Sequence, residues 1–149
     1  MDPRPYHFLI AFGAGGLLSL MVLFNGTLAA HGTLLFASWV PHATGTVAAL
    51  VFLMILRPKK VSTTRPPLWA FAGGIVGAFT VMATSYTMNT ALALSGTIAI
   101  GLAGQMVFSL IADARGMFGL PQKMPDRRDW AALALIIAGS LILIFFGRG

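Results

Sequence analysis

The chain has 149 residues, of which 57% are hydrophobic and only 9% charged, with a mean hydropathy of +0.84. A soluble domain carries about a quarter of its residues as charges, so this composition excludes a water-exposed surface and points to a single integral membrane domain. The net charge of +6 does not describe a nucleic-acid binder, because the basic residues stand between long apolar runs instead of along a polar face with stacking aromatics. The chain contains no cysteine, which removes disulfides and thiolate sites, and no glutamate to act as general acid or base.

Residues 5–56 hold no Asp, Glu, Lys or Arg. At about 1.5 Å per residue, that stretch far exceeds a hydrocarbon core of about 30 Å, so it crosses twice. The break falls at His31-Gly32-Thr33, with spans near 8–30 and 35–56, the second containing Pro41 and stopped by Arg57-Pro58-Lys59-Lys60. Thr27-Leu28-Ala29 has the small-residue character of a signal-peptide cleavage site. The preceding apolar run, however, is longer than a usual signal core and reads as a retained span.

Residues 57–67 form a basic, proline-punctuated connection, after which residues 66–112 are again uncharged and need two crossings. The turn chemistry available inside that run is Asn89-Thr90 and Ser95-Gly96, which places spans near 68–91 and 95–113. A polar connection over 114–129 leads to a fifth span over 130–147. Asp126 and Asp129, three apart, suit the start of that last helix as caps of its free N–H groups.

Five spans put the termini on opposite sides and sort the basic residues. Arg4, Arg57, Lys59, Lys60, Arg65, Arg115, Lys123, Arg127 and Arg128 fall on one side, and Arg148 alone on the other. Because short loops rich in Lys and Arg stay inside, the N-terminus and both long loops are expected in the cytoplasm and the C-terminus outside.

Small residues at Gly15 and Ser19, and at Gly73 and Gly77, have the spacing that lets membrane helices approach closely. Thr97, Gly101, Gln105, Ser109 and Asp113 form a polar stripe on one face of the fourth span. Gln105 near mid-span is either interhelical glue or a substrate contact, because an amide there needs a partner in protein or in a wet cavity. Asn25, beside Gly26, lies in the outward half of the first span. Trp39, Pro41 and His42 lie in the outward half of the second, where Pro41 removes one helix bond. Tyr86 and Asn89 end the third span beside Thr84 and Ser85, a cluster that could join Asn25 and His42 in an outward vestibule. The candidate substrate-binding residues are therefore Gln105, Asn25, His42, Trp39, Tyr86 and Ser109. No catalytic motif, phosphate cradle or metal-ligand cluster is visible, so neither enzymatic chemistry nor a cofactor is expected.

Phe24-Asn25-Gly26-Thr27-Leu28, Gly73-Gly74-Ile75-Val76-Gly77-Ala78 and above all Gly104-Gln105-Met106, continuing through Asp113 to Gly116-Met117-Phe118-Gly119-Leu120-Pro121, carry a nearly end-to-end resemblance to the YdcZ-type small membrane proteins of the drug/metabolite transporter superfamily. The resemblance implies an all-α bundle of five transmembrane helices forming one half of an inverted-repeat transporter, like the related small multidrug resistance proteins. The acidic first-span residue of those relatives is missing here, which puts proton coupling in doubt. A dual-topology homodimer needs balanced charge, and this chain is strongly biased. The expectation is therefore a transporter subunit that moves a small organic solute as an antiparallel heterodimer with a paralogous subunit. The alternatives are a non-transporting membrane interaction protein and an exporter made of two copies of the chain.

Overall fold

The structure, a computed structural model, describes residues 4–57 and 66–146. Its long helices are α1 (Pro5–Ala30), α2 (Leu34–Leu56), α3 (Gly73–Met88), α4 (Ala93–Arg115) and α5 (Arg127–Phe146), and no strand occurs among the described residues. A 3-10 segment over Leu68–Ala72 leads into α3, and with it five helical stretches are long and apolar enough to cross a membrane. The fold is thus an all-α membrane protein, as its composition requires.

The chain resolves into two compact units that divide between Asn89 and Thr90. In the first, α1, α2 and α3 pack against one another in all three pairings; in the second, α4 packs along α5.

Local chemistry sets the helix ends. Thr33 caps α2 by accepting the Phe36 N–H at 3.1 Å, which closes a three-residue turn at the expected break. Pro41 lies inside α2 without ending it. The turn before α4 is made at residues 89–92, while Ser95-Gly96 lies within the helix. Gly96 is buried there because a Cβ would stand 3.3 Å from Leu92 Cβ, so this glycine serves close packing and not a turn. Gly116 ends α4 in the left-handed region at φ 59°. The carbonyl of Asp113 accepts from the Gly116 and Lys123 N–H groups at 3.2 and 2.9 Å, pinning the loop to the helix end.

α5 begins three residues before the expected position because its cap is complete. Asp126 Oδ1 accepts the Arg128 and Asp129 N–H groups at 2.8 and 2.9 Å, and Asp129 Oδ2 accepts the Asp126 N–H at 3.0 Å. The end of the fifth span at residue 147, and residues 58–65 of the first long connection, lie outside the described residues.

The interior is small and mixes polar side chains with Val22, Val81 and Leu133, while most large apolar side chains face outward. Asn25, Ser38, Ser85, Thr97 and Ser140 are buried, whereas Phe12, Leu17, Phe79 and Phe146 are open. In lipid the outward face costs nothing, and helices associate by close approach and hydrogen bonds. Bonds from side chain to carbonyl tie helices within each unit: Ser38 Oγ donates to Ala78 at 3.2 Å and Asn89 Nδ2 to Gly26 at 2.8 Å in the first, and Ser140 Oγ to Ala99 at 3.1 Å in the second. Other hydroxyls, such as those of Thr27 and Thr80, donate to carbonyls of their own helices.

The two small-residue pairs behave differently from the sequence expectation. Gly77 faces α2 and Gly26 is filled over by Met88, but nothing lies within 4 Å of a Cβ built at Gly15 or Gly73. The close approach of α1 to α3 falls at the end that carries Gly26 and Met88, and Gly15 and Gly73 lie toward the other end.

Candidate functional site

In the first unit, α1 and α2 leave an open groove of about 390 Å³ between them. Leu17, Leu20, Met21, Phe24 and Leu28 form its α1 wall with Asn25, and Val40, Pro41 and Thr44 form its α2 wall. α1 runs through Asn25-Gly26 without a break, so this pair does not loosen the helix. Asn25 is 3% exposed, and its Nδ2 is enclosed without a hydrogen-bond partner. An unpaired amide in such surroundings costs about 1–3 kcal/mol. Thr44 has already spent its proton on the Val40 carbonyl at 2.9 Å. Pro41 lacks the N–H that would pair with the Ala37 carbonyl.

His42 lies at the seam between α2 and α3. Its Nδ1 is 2.7 Å from the Ser38 carbonyl; a carbonyl only accepts, so Nδ1 carries the proton and neutral His42 keeps its lone pair on Nε2. That Nε2 faces Gly77, where an added Cβ would stand 3.4 Å away. Neither residues 5–56 nor residues 66–112 contain an Asp, Glu, Lys or Arg, so α1, α2 and α3 bring no countercharge to either the groove or the imidazole.

The expected outward vestibule forms only in part. Asn89 does join the Asn25-Gly26 segment, through the Gly26 carbonyl, and it also bonds the Ser85 carbonyl at 2.8 Å. Ser85 is fully buried with an unpartnered Oγ. Tyr86 points away and is 61% exposed. Trp39, also well exposed, lines a separate shallow groove of about 300 Å³ with Val40, Ala43, Thr44 and Val47.

Gln105 and Ser109 belong to the second unit and are both exposed. Ser109 Oγ donates to the Gln105 carbonyl at 2.9 Å, so its proton serves its own helix. Thr97, at the head of the same stripe, is buried with Oγ1 unpartnered. α5 packs instead against other positions of α4, including Gly96, and leaves Gln105 uncovered. The sequence reading missed Ser38, whose hydroxyl ties α2 to α3 and whose backbone carbonyl sets the His42 tautomer; no spacing in the sequence marks either role. Among the described residues, no group of three His, Asp or Glu side chains gathers.

The family model described as "Putative inner membrane exporter, YdcZ" matches residues 6–142. No curated protein and no solved structure was found to match the chain.

Proposed function

The chain belongs to the YdcZ inner membrane exporter family, and from that premise we propose that it is one subunit of an antiparallel heterodimeric transporter that moves a small organic solute by alternating access. Membership makes it a multi-pass inner-membrane protein of a transporter class, which is not an enzyme class. The finer reading rests on one observation, the placement of charge. Among the described residues, Arg4 and Arg57 flank the α1 and α2 ends of one side, and Arg115, Lys123, Arg127 and Arg128 surround the connection from α4 to α5. The opposite connections, residues 31–33 and 89–92, carry none.

Such a chain inserts one way, with its N-terminus and basic connections in the cytoplasm and its C-terminus outside. An inverted repeat around a midplane site then requires a second subunit of opposite charge bias. Gln105, left uncovered on α4, is the residue that partner would meet or that the solute would reach across the interface. Asn25 and His42 supply the polar groups of the first unit.

Site-directed cross-linking in membranes tests this reading. With two differently tagged copies and a paralogous subunit coexpressed, cross-links between this chain and the paralogue are expected. Cross-links confined to uniformly oriented copies of this chain would sink the heterodimer. Loss of solute export in Gln105→Ala, with cross-linking intact, is the expected functional counterpart.

A further inference from the structure

In the second unit, α4 and α5 leave an apolar groove of about 340 Å³ at the end where residues 116–126 connect them. Val107, Leu110, Ile111 and Ala114 form its α4 wall, at the spacing that puts them on one face, and Trp130 and buried Leu133 form its α5 wall. Arg115 ends α4 one turn beyond Ile111, and Arg127 opens α5 one turn before Trp130. Both arginines are exposed, and among the described residues neither guanidinium makes an ion pair or hydrogen bond. We propose that this groove binds an anionic phospholipid, with one acyl chain laid along α4 and α5 and the phosphate head held by Arg115 and Arg127. The site depends on insertion of the chain in a bilayer and not on the transporter reading.

The first argument is charge. The acidic groups nearby are engaged elsewhere: the Asp126 carboxylate accepts the Arg128 and Asp129 N–H groups, and Asp129 pairs with Lys123 at 3.7 Å. Asp113 stands two residues from Arg115, a spacing that does not let side chains on a helix face each other. Two guanidinium groups are thus left over at one end of the groove, and this is the side chain that pairs with phosphate through two parallel bonds. The second argument is order along the helices. Arg115 and Arg127 come first, Trp130 next, and hydrocarbon then reaches to Val107, about 10 Å beyond Ala114. A phospholipid presents the same sequence of charged head, ester region and acyl chain. Trp130 is well exposed, and its indole N–H, without a partner among the described residues, is a donor for a phosphate or ester oxygen. The third argument is access. Both helices are long and apolar enough to cross a membrane, and Ile111 and Trp130 leave the groove open at its rim. Lipid therefore reaches it from the bilayer, and basic groups at the mouth of such a groove select acidic heads.

The test uses the full chain carrying Trp39→Phe and Trp69→Phe, which leaves Trp130 as its single tryptophan, reconstituted in phosphatidylcholine vesicles. A minor fraction of the lipid carries brominated acyl chains, which quench tryptophan on contact, and is either phosphatidylglycerol or phosphatidylcholine. Brominated phosphatidylglycerol is expected to quench Trp130 at about three- to tenfold lower content than brominated phosphatidylcholine. That preference should shrink as salt rises from about 0.1 M to about 1 M. Arg115→Gln combined with Arg127→Gln abolishes it, whereas Arg115→Lys with Arg127→Lys keeps the charge and retains much of it. Ala114→Phe fills the groove with both arginines in place and also abolishes it, which separates a seated lipid from attraction to the surface alone. The salt series and the lysine variants keep the claim refutable if the glutamine variants fail to fold. Equal quenching by the two lipids would overturn the proposal, as would a preference that ignores salt, survives loss of both arginines or survives filling of the groove. A companion chain with Trp39 as its single tryptophan should show no preference; the same preference there would mean general enrichment of acidic lipid around the chain and would also overturn the site.

Discussion

The side-chain amide of Asn89 donates at 2.8 Å to two carbonyls at once, that of Gly26 on α1 and that of Ser85 on its own helix. It therefore closes the end of α3 and fastens that end to α1. Asn89→Ala and Asn89→Asp both lose the donor, and each is expected to lower stability by about 1–2 kcal/mol, read as a reduced unfolding midpoint in detergent. Unchanged stability in both variants would remove this bond from the account of the seam.

Met88 lies over Gly26, so a methyl group added there meets its thioether directly. Gly26→Ala is expected to cost about 1–3 kcal/mol by overpacking. Met88→Ala in the same chain should recover a large part of that loss, because the two positions touch and their effects are coupled. A double-mutant cycle in thermal unfolding reads the coupling directly.

Two serines separate helix association from local bonding. Ser140 Oγ shares its one proton between the Ile136 carbonyl of its own helix at 2.7 Å and the Ala99 carbonyl on the neighbouring helix at 3.1 Å, whereas Ser109 Oγ bonds only within α4. Ser140→Ala should destabilise the α4–α5 pair by about 0.5–1.5 kcal/mol, and Ser109→Ala by no more than about 0.5 kcal/mol. Unfolding of the two variants side by side checks the contrast.

Acid should loosen the first turn of α5. The Asp129 N–H bonded to Asp126 leads the effects that hold the Asp126 carboxyl below its usual value; the Arg128 N–H and the Lys123 and Arg128 charges act in the same direction, against some desolvation. A carboxylate whose folded pKa is depressed contributes stability above its unfolded value, near 3.8, and loses it as pH falls through the folded one. Asp126→Asn keeps a capping oxygen but no titration, so that variant should lose this part of the acid sensitivity, while Asp126→Ala frays the turn at every pH. Hydrogen exchange at the Arg128 and Asp129 amides measures both effects.

Much of the fold was legible because its causes are local. Run length and charge require five crossings, and Thr33 and Asp126 mark helix starts by their own chemistry. The turn before α4 was not resolved as sharply, since Gly96 reads equally as a turn residue or as a place where Leu92 and Ile144 pack closely. Asn25 was identifiable as a polar group in an apolar span, but its unpaired Nδ2 is a tertiary fact that depends on what α2 and α3 bring near it. Ser38 escaped notice because one serine among apolar residues carries no periodic signal, and its bond to Ala78 spans forty positions. Tyr86 and Trp39 were grouped with the site by depth in the membrane, whereas their direction around the helix turns both outward.

The proposed heterodimer needs this chain in one orientation beside a partner of opposite charge bias. Reporters active on only one side of the membrane, fused to the C-terminus and assayed with and without a coexpressed paralogue, test it most directly. A C-terminus uniformly outside is expected in both cases. A C-terminus found on both sides would contradict it and make a dual-topology homodimer the working architecture.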